Sequence, residues 1–121
     1  MQTYLLVGET PSKKNSRIIN TKTGRSFPSK RYAQWHRDAV FQIATQQSEK
    51  TIDKPCKIRM TFIHGDLRRR DSDNGSTSIL DLLTDTKVIS DDNWQIVKKI
   101  EIENGYKKNE PCCIVEIEPY E

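Results

Sequence analysis

Cys56-Lys57-Ile58-Arg59-Met60-Thr61-Phe62-Ile63-His64 decides the fold class of this chain. Cys56, Ile58, Met60 and Phe62 alternate with Lys57, Arg59 and Thr61, the period of a strand with one face in the core. Pro55 resets the chain just before it. Upstream the period changes. Tyr32, Trp35, Ala39, Val40, Ile43 and Ala44 recur at steps of three and four, which predicts a helix from an N-cap at Ser29 to about Lys50. Thr3 to Val7 is a short β-compatible run ended by Gly8. Downstream, Ser76 is placed to cap a short helix whose Ile79, Leu80, Leu82 and Leu83 face the core. Trp94, Ile96, Ile100 and Ile102 share one parity and predict a long strand. Asn104-Gly105 is a hairpin signal, and Cys113, Val115 and Ile117 make a last strand. The order β–loop–α–β–α–β–β predicts one α+β domain over residues 1–121, a small mixed or antiparallel sheet of about four strands covered by two helices.

The chain has 121 residues, 34% hydrophobic and 31% charged, so its core is modest and burial of surface in an oligomer is expected. It contains no apolar run near the ~18–20 residues of a membrane span. The N-terminal residues lack a basic segment leading into a long apolar one, so no signal peptide is read. Cys56, Cys112 and Cys113 are an odd number of thiols without Cys-x-x-Cys spacing, which fits a reduced, cytoplasmic protein without structural zinc. Charge is uneven. Lys13, Lys14, Arg17, Lys22, Arg25, Lys30, Arg31 and Arg37 lie in one acid-free stretch, whereas glutamates dominate beyond Glu101. The basic third is expected to face a polyanion, and the long segment Thr10 to Pro28 within it to be a functional loop.

Two tight acid pairs carry the chemistry: Asp71-Ser72-Asp73-Asn74, directly after Arg68-Arg69-Arg70, and Asp91-Asp92. Either alone reads as ordinary turn chemistry. Together with the arginines they point to a Mg²⁺ site, since that ion is held by one or two carboxylates and completes its shell with water and substrate phosphate. The arginines are natural phosphate partners. The first pair follows a strand and the second precedes the next, so neighbouring strands are expected to bring both to one end of the sheet. His64 is close in sequence to the acid cluster but reads as structural or exposed rather than as a general base. His36 has no partner indicated by spacing, and Tyr32, Trp35 and Trp94 read as core or dimer-interface residues rather than base-stacking platforms.

With these residues in hand, Arg68-Arg69-Arg70-Asp71-Ser72-Asp73-Asn74, then Ile79-Leu80-Asp81-Leu82-Leu83, then Asp91-Asp92, the chain resembles the RusA-type Holliday-junction resolvases. Their pattern is an arginine-rich lead into Asp-x-Asp-Asn, a short helix with an Asp-Ala-Leu-like segment, and a downstream Asp-Asp. Pro11-Ser12-Lys13-Lys14-Asn15-Ser16-Arg17 resembles the family's Pro-Ser-x-Asn-x-basic loop. The resemblance implies a RusA-like homodimer that nicks two strands of a four-way DNA junction symmetrically, with Mg²⁺ or Mn²⁺, leaving 5′-phosphates, in DNA recombination and repair. It implies catalytic roles for Asp71, Asp73 and Asp92 and metal ligation by Asp71, Asp73, Asp91 and Asp92. Lys13, Lys14, Asn15, Arg17, Arg25, Arg68, Arg69 and Arg70 are the expected DNA contacts.

One position departs from the pattern. The family commonly carries a lysine four residues after the second acid of Asp-x-Asp, and here that residue is Thr77. A cation there is of the kind worth ~3 kcal/mol at a preorganised site. A weakly active or non-catalytic junction-binding dimer is therefore the rival expectation, and a general Mg²⁺-dependent nuclease the more distant one.

Overall fold

The computed structural model describes residues 1–13, 17–47 and 49–121, with Arg17 through its backbone alone. In chain order the elements are β1 (Gln2–Val7), β2 (Arg17–Ile19), β3 (Ser26–Pro28), α1 (Lys30–Gln46), β4 (Cys56–His64), α2 (Ser76–Asp85), β5 (Val97–Tyr106) and β6 (Cys112–Pro119). The main sheet has four strands in the order β1-β6-β4-β5, and β2 and β3 form a separate hairpin. β6 runs antiparallel to both β1 and β4, while β4 and β5 are parallel, joined through α2. The domain is therefore α+β with a mixed sheet.

The alternation in β4 buries Cys56, Ile58, Met60 and Phe62 against Tyr4 and Leu6 of β1, Cys113, Val115 and Ile117 of β6, and the inner faces of both helices. The opposite face of the sheet carries ion pairs instead. Lys57 reaches Glu101 at 3.2 Å and Glu118 at 3.3 Å, and Arg59 reaches Glu101 at 3.4 Å. The helices thus cover one face only.

Ser29 caps α1 as expected, its Oγ accepting from Tyr32 N at 3.1 Å. Ser29→Ala should cost about 1 kcal/mol in a urea melt; an unchanged midpoint would mean the cap contributes nothing. The helix stops at Gln46, short of Lys50, and its stripe is narrower than expected. Tyr32, Trp35, Ala39 and Ile43 are buried, whereas Val40 and Ala44 face outward. From that outer side α1 covers the edge of β1. Gln46 exchanges two hydrogen bonds with the Leu5 backbone, both 2.8 Å, and Val7 N donates to Gln42 Oε1 at 2.7 Å.

Other expectations are corrected. The segment Thr10 to Pro28 is not loop throughout, because Ile18 pairs with Phe27 in the β2–β3 hairpin. α2 is capped by Gly75, which makes no side-chain cap bond, and Ser76 is its first residue. The strand expected from Trp94 begins at Val97, since Asn93 to Ile96 form a turn, and Trp94 is 71% exposed, which of its two expected places excludes the core. Asn104-Gly105 is not a turn. Both residues stay in β5 opposite Phe62 and Ile63, and the chain reverses over Lys107 to Glu110, where Asn109 takes φ 60°. Continued pairing with a parallel neighbour outweighs a local turn preference.

Candidate nuclease site

The Asp71–Asn74 segment is a turn closed by backbone groups. Asn74 N donates to the Asp71 carbonyl at 3.1 Å, and the Asp73 carbonyl accepts from Ser76 N at 3.1 Å and Ser76 Oγ at 2.9 Å. The turn uses main-chain oxygens, so both carboxylates stay exposed. Gly75 lets the turn sit down on the core. A Cβ there would lie 2.7 Å from the Phe62 ring and 2.9 Å from Thr10 Cγ2.

Side chains with no motif of their own fix this turn against the sheet. Arg70 Nη2 lies 3.1 Å from Glu9 Oε1 and 2.9 Å from Asp66 Oδ1. Glu9 Oε2 is 2.7 Å from His64 Nδ1, His64 Nε2 is 2.8 Å from Asn104 Oδ1, and Asn104 Nδ2 donates to the Ser72 carbonyl at 2.9 Å. Arg70, Glu9, His64, Asn104 and Ser72 thus link the arginine run to the ends of β4 and β5. Sequence reasoning missed Glu9 and Asn104, and their one signal was position beside strand ends. Arg70, expected on DNA, lines the same cleft as its two neighbours but also pairs with Glu9 and Asp66 within the chain.

Arg68 and Arg69 remain exposed. With Arg31, Asp71, Asn74 and the Glu9–Ser12 segment they line an open cleft of about 520 Å³. Carboxylate and guanidinium groups thus share one concave surface. Lys13 turns instead onto α2. Its backbone N donates to Ser78 Oγ at 3.0 Å and its ammonium pairs with Asp81. Asp81 stands four residues after Thr77, on the same helical face, so a cation reaches this face from the N-terminal segment. Arg25 sits exposed at the hairpin; Lys14 and Asn15, and the Arg17 side chain, lie outside the described residues.

The second acid pair is built differently. Asp91 Oδ1 accepts from Asp92 N at 2.7 Å and Oδ2 from Asn93 Nδ2 at 2.9 Å. These bonds hold its carboxyl below the usual range, the Asn93 side-chain bond first. Asp92 is pushed up, chiefly by burial and then by Asp91, with Asp81 adding to it. Tyr32 is pushed up to about 12 by burial and then by Asp81 and Asp85, so a neutral phenol backs this acidic face. The strand ends alone do not bring the two pairs together, because β4 and β5 are parallel and the end of β4 and the start of β5 lie at opposite ends of the sheet. Asp92 precedes β5 by several residues and lies close enough to α2 for Asp81 to raise it. Among the described residues no three His, Cys, Asp or Glu side chains converge on one point.

Residues 8–118 match the family model described as Endodeoxyribonuclease RusA. The chain belongs to the RusA endodeoxyribonuclease family. A relative in Aquifex aeolicus (strain VF5), a crossover junction endodeoxyribonuclease RusA, is 30% identical over 121 residues, covering 97% of this chain and 91% of its own. Membership makes the chain an endodeoxyribonuclease, and the matched residues include the Asp-x-Asp turn, the arginine cleft and the Asp91–Asp92 pair. Among the described residues no helix is long and apolar enough to cross a membrane.

Proposed function

We propose that this RusA-family enzyme resolves four-way DNA junctions by Mg²⁺-dependent phosphodiester hydrolysis, acting as a homodimer. The observation that carries the reading is the shared cleft, in which Asp71 opens onto the same surface as Arg31, Arg68 and Arg69. A phosphodiester bound by these arginines lies beside exposed carboxylate oxygens. The donor set fits Mg²⁺: hard oxygens in pairs, with Asp92 crowded by Asp91 and Asp81 in a way that a cation relieves. Asp71, Asp73 and Asp92 would hold the ion, with Asp91 bracing the turn that carries Asp92. Only one or two carboxylates are needed at once, because water and substrate phosphate complete the shell. When bound, the ion lowers the pKa of an attacking water and polarises the phosphate. The chain's own residues do the rest. Arg68 and Arg69 neutralise the scissile strand, the Glu9–His64–Asn104 network fixes the Asp71–Asp73 turn, and the basic β2–β3 hairpin extends the phosphate-facing surface. Paired nicks on one junction require two active sites, which a two-fold dimer provides. Exposed Leu5, Val7 and Tyr106, which line one apolar cleft with Ile63 and Cys112, support burial by a second copy.

Incubation with a synthetic four-way junction and a matched linear duplex, with and without Mg²⁺, tests this reading. Paired Mg²⁺-dependent nicks on the junction alone are expected. Binding without cutting would favour the weakly active junction binder anticipated from Thr77, and equal cutting of both DNAs would favour a general nuclease. Salt separates the roles of the arginines. Log affinity should fall linearly with log salt, and Arg68→Ala should reduce the slope by about 1. A comparable reduction for Arg70→Gln would contradict its assignment to Glu9 and Asp66.

A further inference from the structure

Of the two tryptophans in the chain, Trp35 is 9% exposed in the core and Trp94 is 71% exposed, two residues after Asp92. Its turn is braced. Asn93 Oδ1 accepts from Gln95 N at 2.9 Å and Ile96 N at 3.2 Å, and the Asn93 carbonyl accepts from Val97 N at 2.9 Å. Asn93 Nδ2 also donates to Asp91 Oδ2 at 2.9 Å. One asparagine thus fixes the exposed indole and the acid pair relative to each other. Lys98 Nζ stands 4.5 Å from the indole centroid, and among the described residues no carboxylate pairs with it.

We propose that Trp94 and Lys98 form a nucleotide platform on which the open face of a base at the branch point of the DNA stacks while its phosphate meets the lysine. This rests on the junction-nuclease reading and adds a residue that selects branched over linear DNA. A π-face with an ammonium beside it matches the two halves of a nucleotide, and aromatic residues with flanking cations recur where single-stranded bases are bound without sequence preference. A base pair inside a duplex is stacked on both faces and closed to an outside ring; a pair at the end of an arm, where the arms of an open junction part, has one face free. A protein partner fits less well. Lysine is depleted in protein interfaces, and covering Lys98 there would bury an unpaired charge.

The Trp35→Phe variant leaves Trp94 as the single indole, and its emission is followed in EDTA against labelled four-way junction and linear duplex. Anisotropy of the label reports binding independently. Junction binding should quench Trp94 and linear duplex should leave it nearly unchanged. Trp94→Ala should lose about tenfold in junction affinity, within the range of one stacked base, with linear-duplex affinity within twofold and Trp94→Phe recovering most of the loss. If Trp35→Phe fails to fold, the parent's junction-induced quench should vanish in Trp94→Phe, and a quench that persists there overturns the proposal. So does junction binding that leaves the emission of Trp94 unmoved, or an equal loss on both DNAs in Trp94→Ala. Emission that is blue-shifted and concentration-dependent without DNA assigns Trp94 to contact between copies, which also overturns it. Absence of junction binding by the parent removes the proposal and the nuclease reading together.

Discussion

Asp73→Asn is expected to abolish junction cleavage, lowering the single-turnover rate by about 10³-fold, while junction affinity in EDTA stays equal or rises. The amide keeps the shape of the carboxylate but loses its charge and half of its capacity to ligate a hard cation. Loss of a preorganised group that stabilises developing charge has an effect of about 10²–10³ in rate, and a metal ligand falls at the upper end. The substitution is clean because Asp73 holds its turn through the backbone carbonyl, which Ser76 contacts twice. Removing a negative charge beside a bound phosphate favours binding. Asp91→Asn makes the informative contrast. Both of its side-chain oxygens accept hydrogen bonds from the turn, so the amide disturbs the position of Asp92 as well as the local charge. A parental rate for Asp73→Asn, measured with Mg²⁺ on a four-way junction, would remove Asp73 from the catalytic centre.

Leu82→Ala should destabilise the domain by about 2–5 kcal/mol, as large-to-small changes at closed core sites do. That is a large part of the ~5–15 kcal/mol available to a domain of ordinary stability. Leu82 is 0% exposed and lies with Ile79 and Leu83 on the inner face of α2. The helix has ten residues and no side-chain N-cap, and helices this short depend on packing more than on propensity. Chemical denaturation followed by circular dichroism measures the loss. A decrease below about 1 kcal/mol would show that the core collapses around the gap. Leu80→Ala, at a partly buried position on the same helix, is the matched control and should lose less.

Local patterns made the larger part of this fold legible before the structure. The alternation in Cys56–His64, the stripe through Tyr32, Trp35, Ala39 and Ile43 and the Ser29 cap depend on neighbours along the chain, and each appears where its pattern places it, although Val40 and Ala44 fall off the stripe. The misreadings have two causes. Trp94 has the parity of the strand that follows, but the Asn93 side chain holds a turn up to Ile96. Asn104-Gly105 has the composition of a hairpin, but β4 pairs with it beyond that point. Parity does not register a side chain that closes a local turn, and a dipeptide rule does not register a partner strand elsewhere in the chain. The site divides in the same way. The Asp-x-Asp turn and the arginines before it are contiguous and readable. The contacts that hold them run from Glu9 to His64, His64 to Asn104 and Asn104 to Ser72, and nothing local marks those residues as a set.

The amides of Gln42 and Gln46 on the backbone of β1 also limit how copies of this chain can be joined. A sheet with two free margins can add neighbours on both sides and grow without end, the route to fibrous aggregates. Here one margin is occupied by the chain's own helix, and the other, β5, is left open by the strand order. Strand-to-strand joining through the open margin stops at two copies, because each copy then presents only its occupied side. α1 thus acts as a terminator of polymerisation.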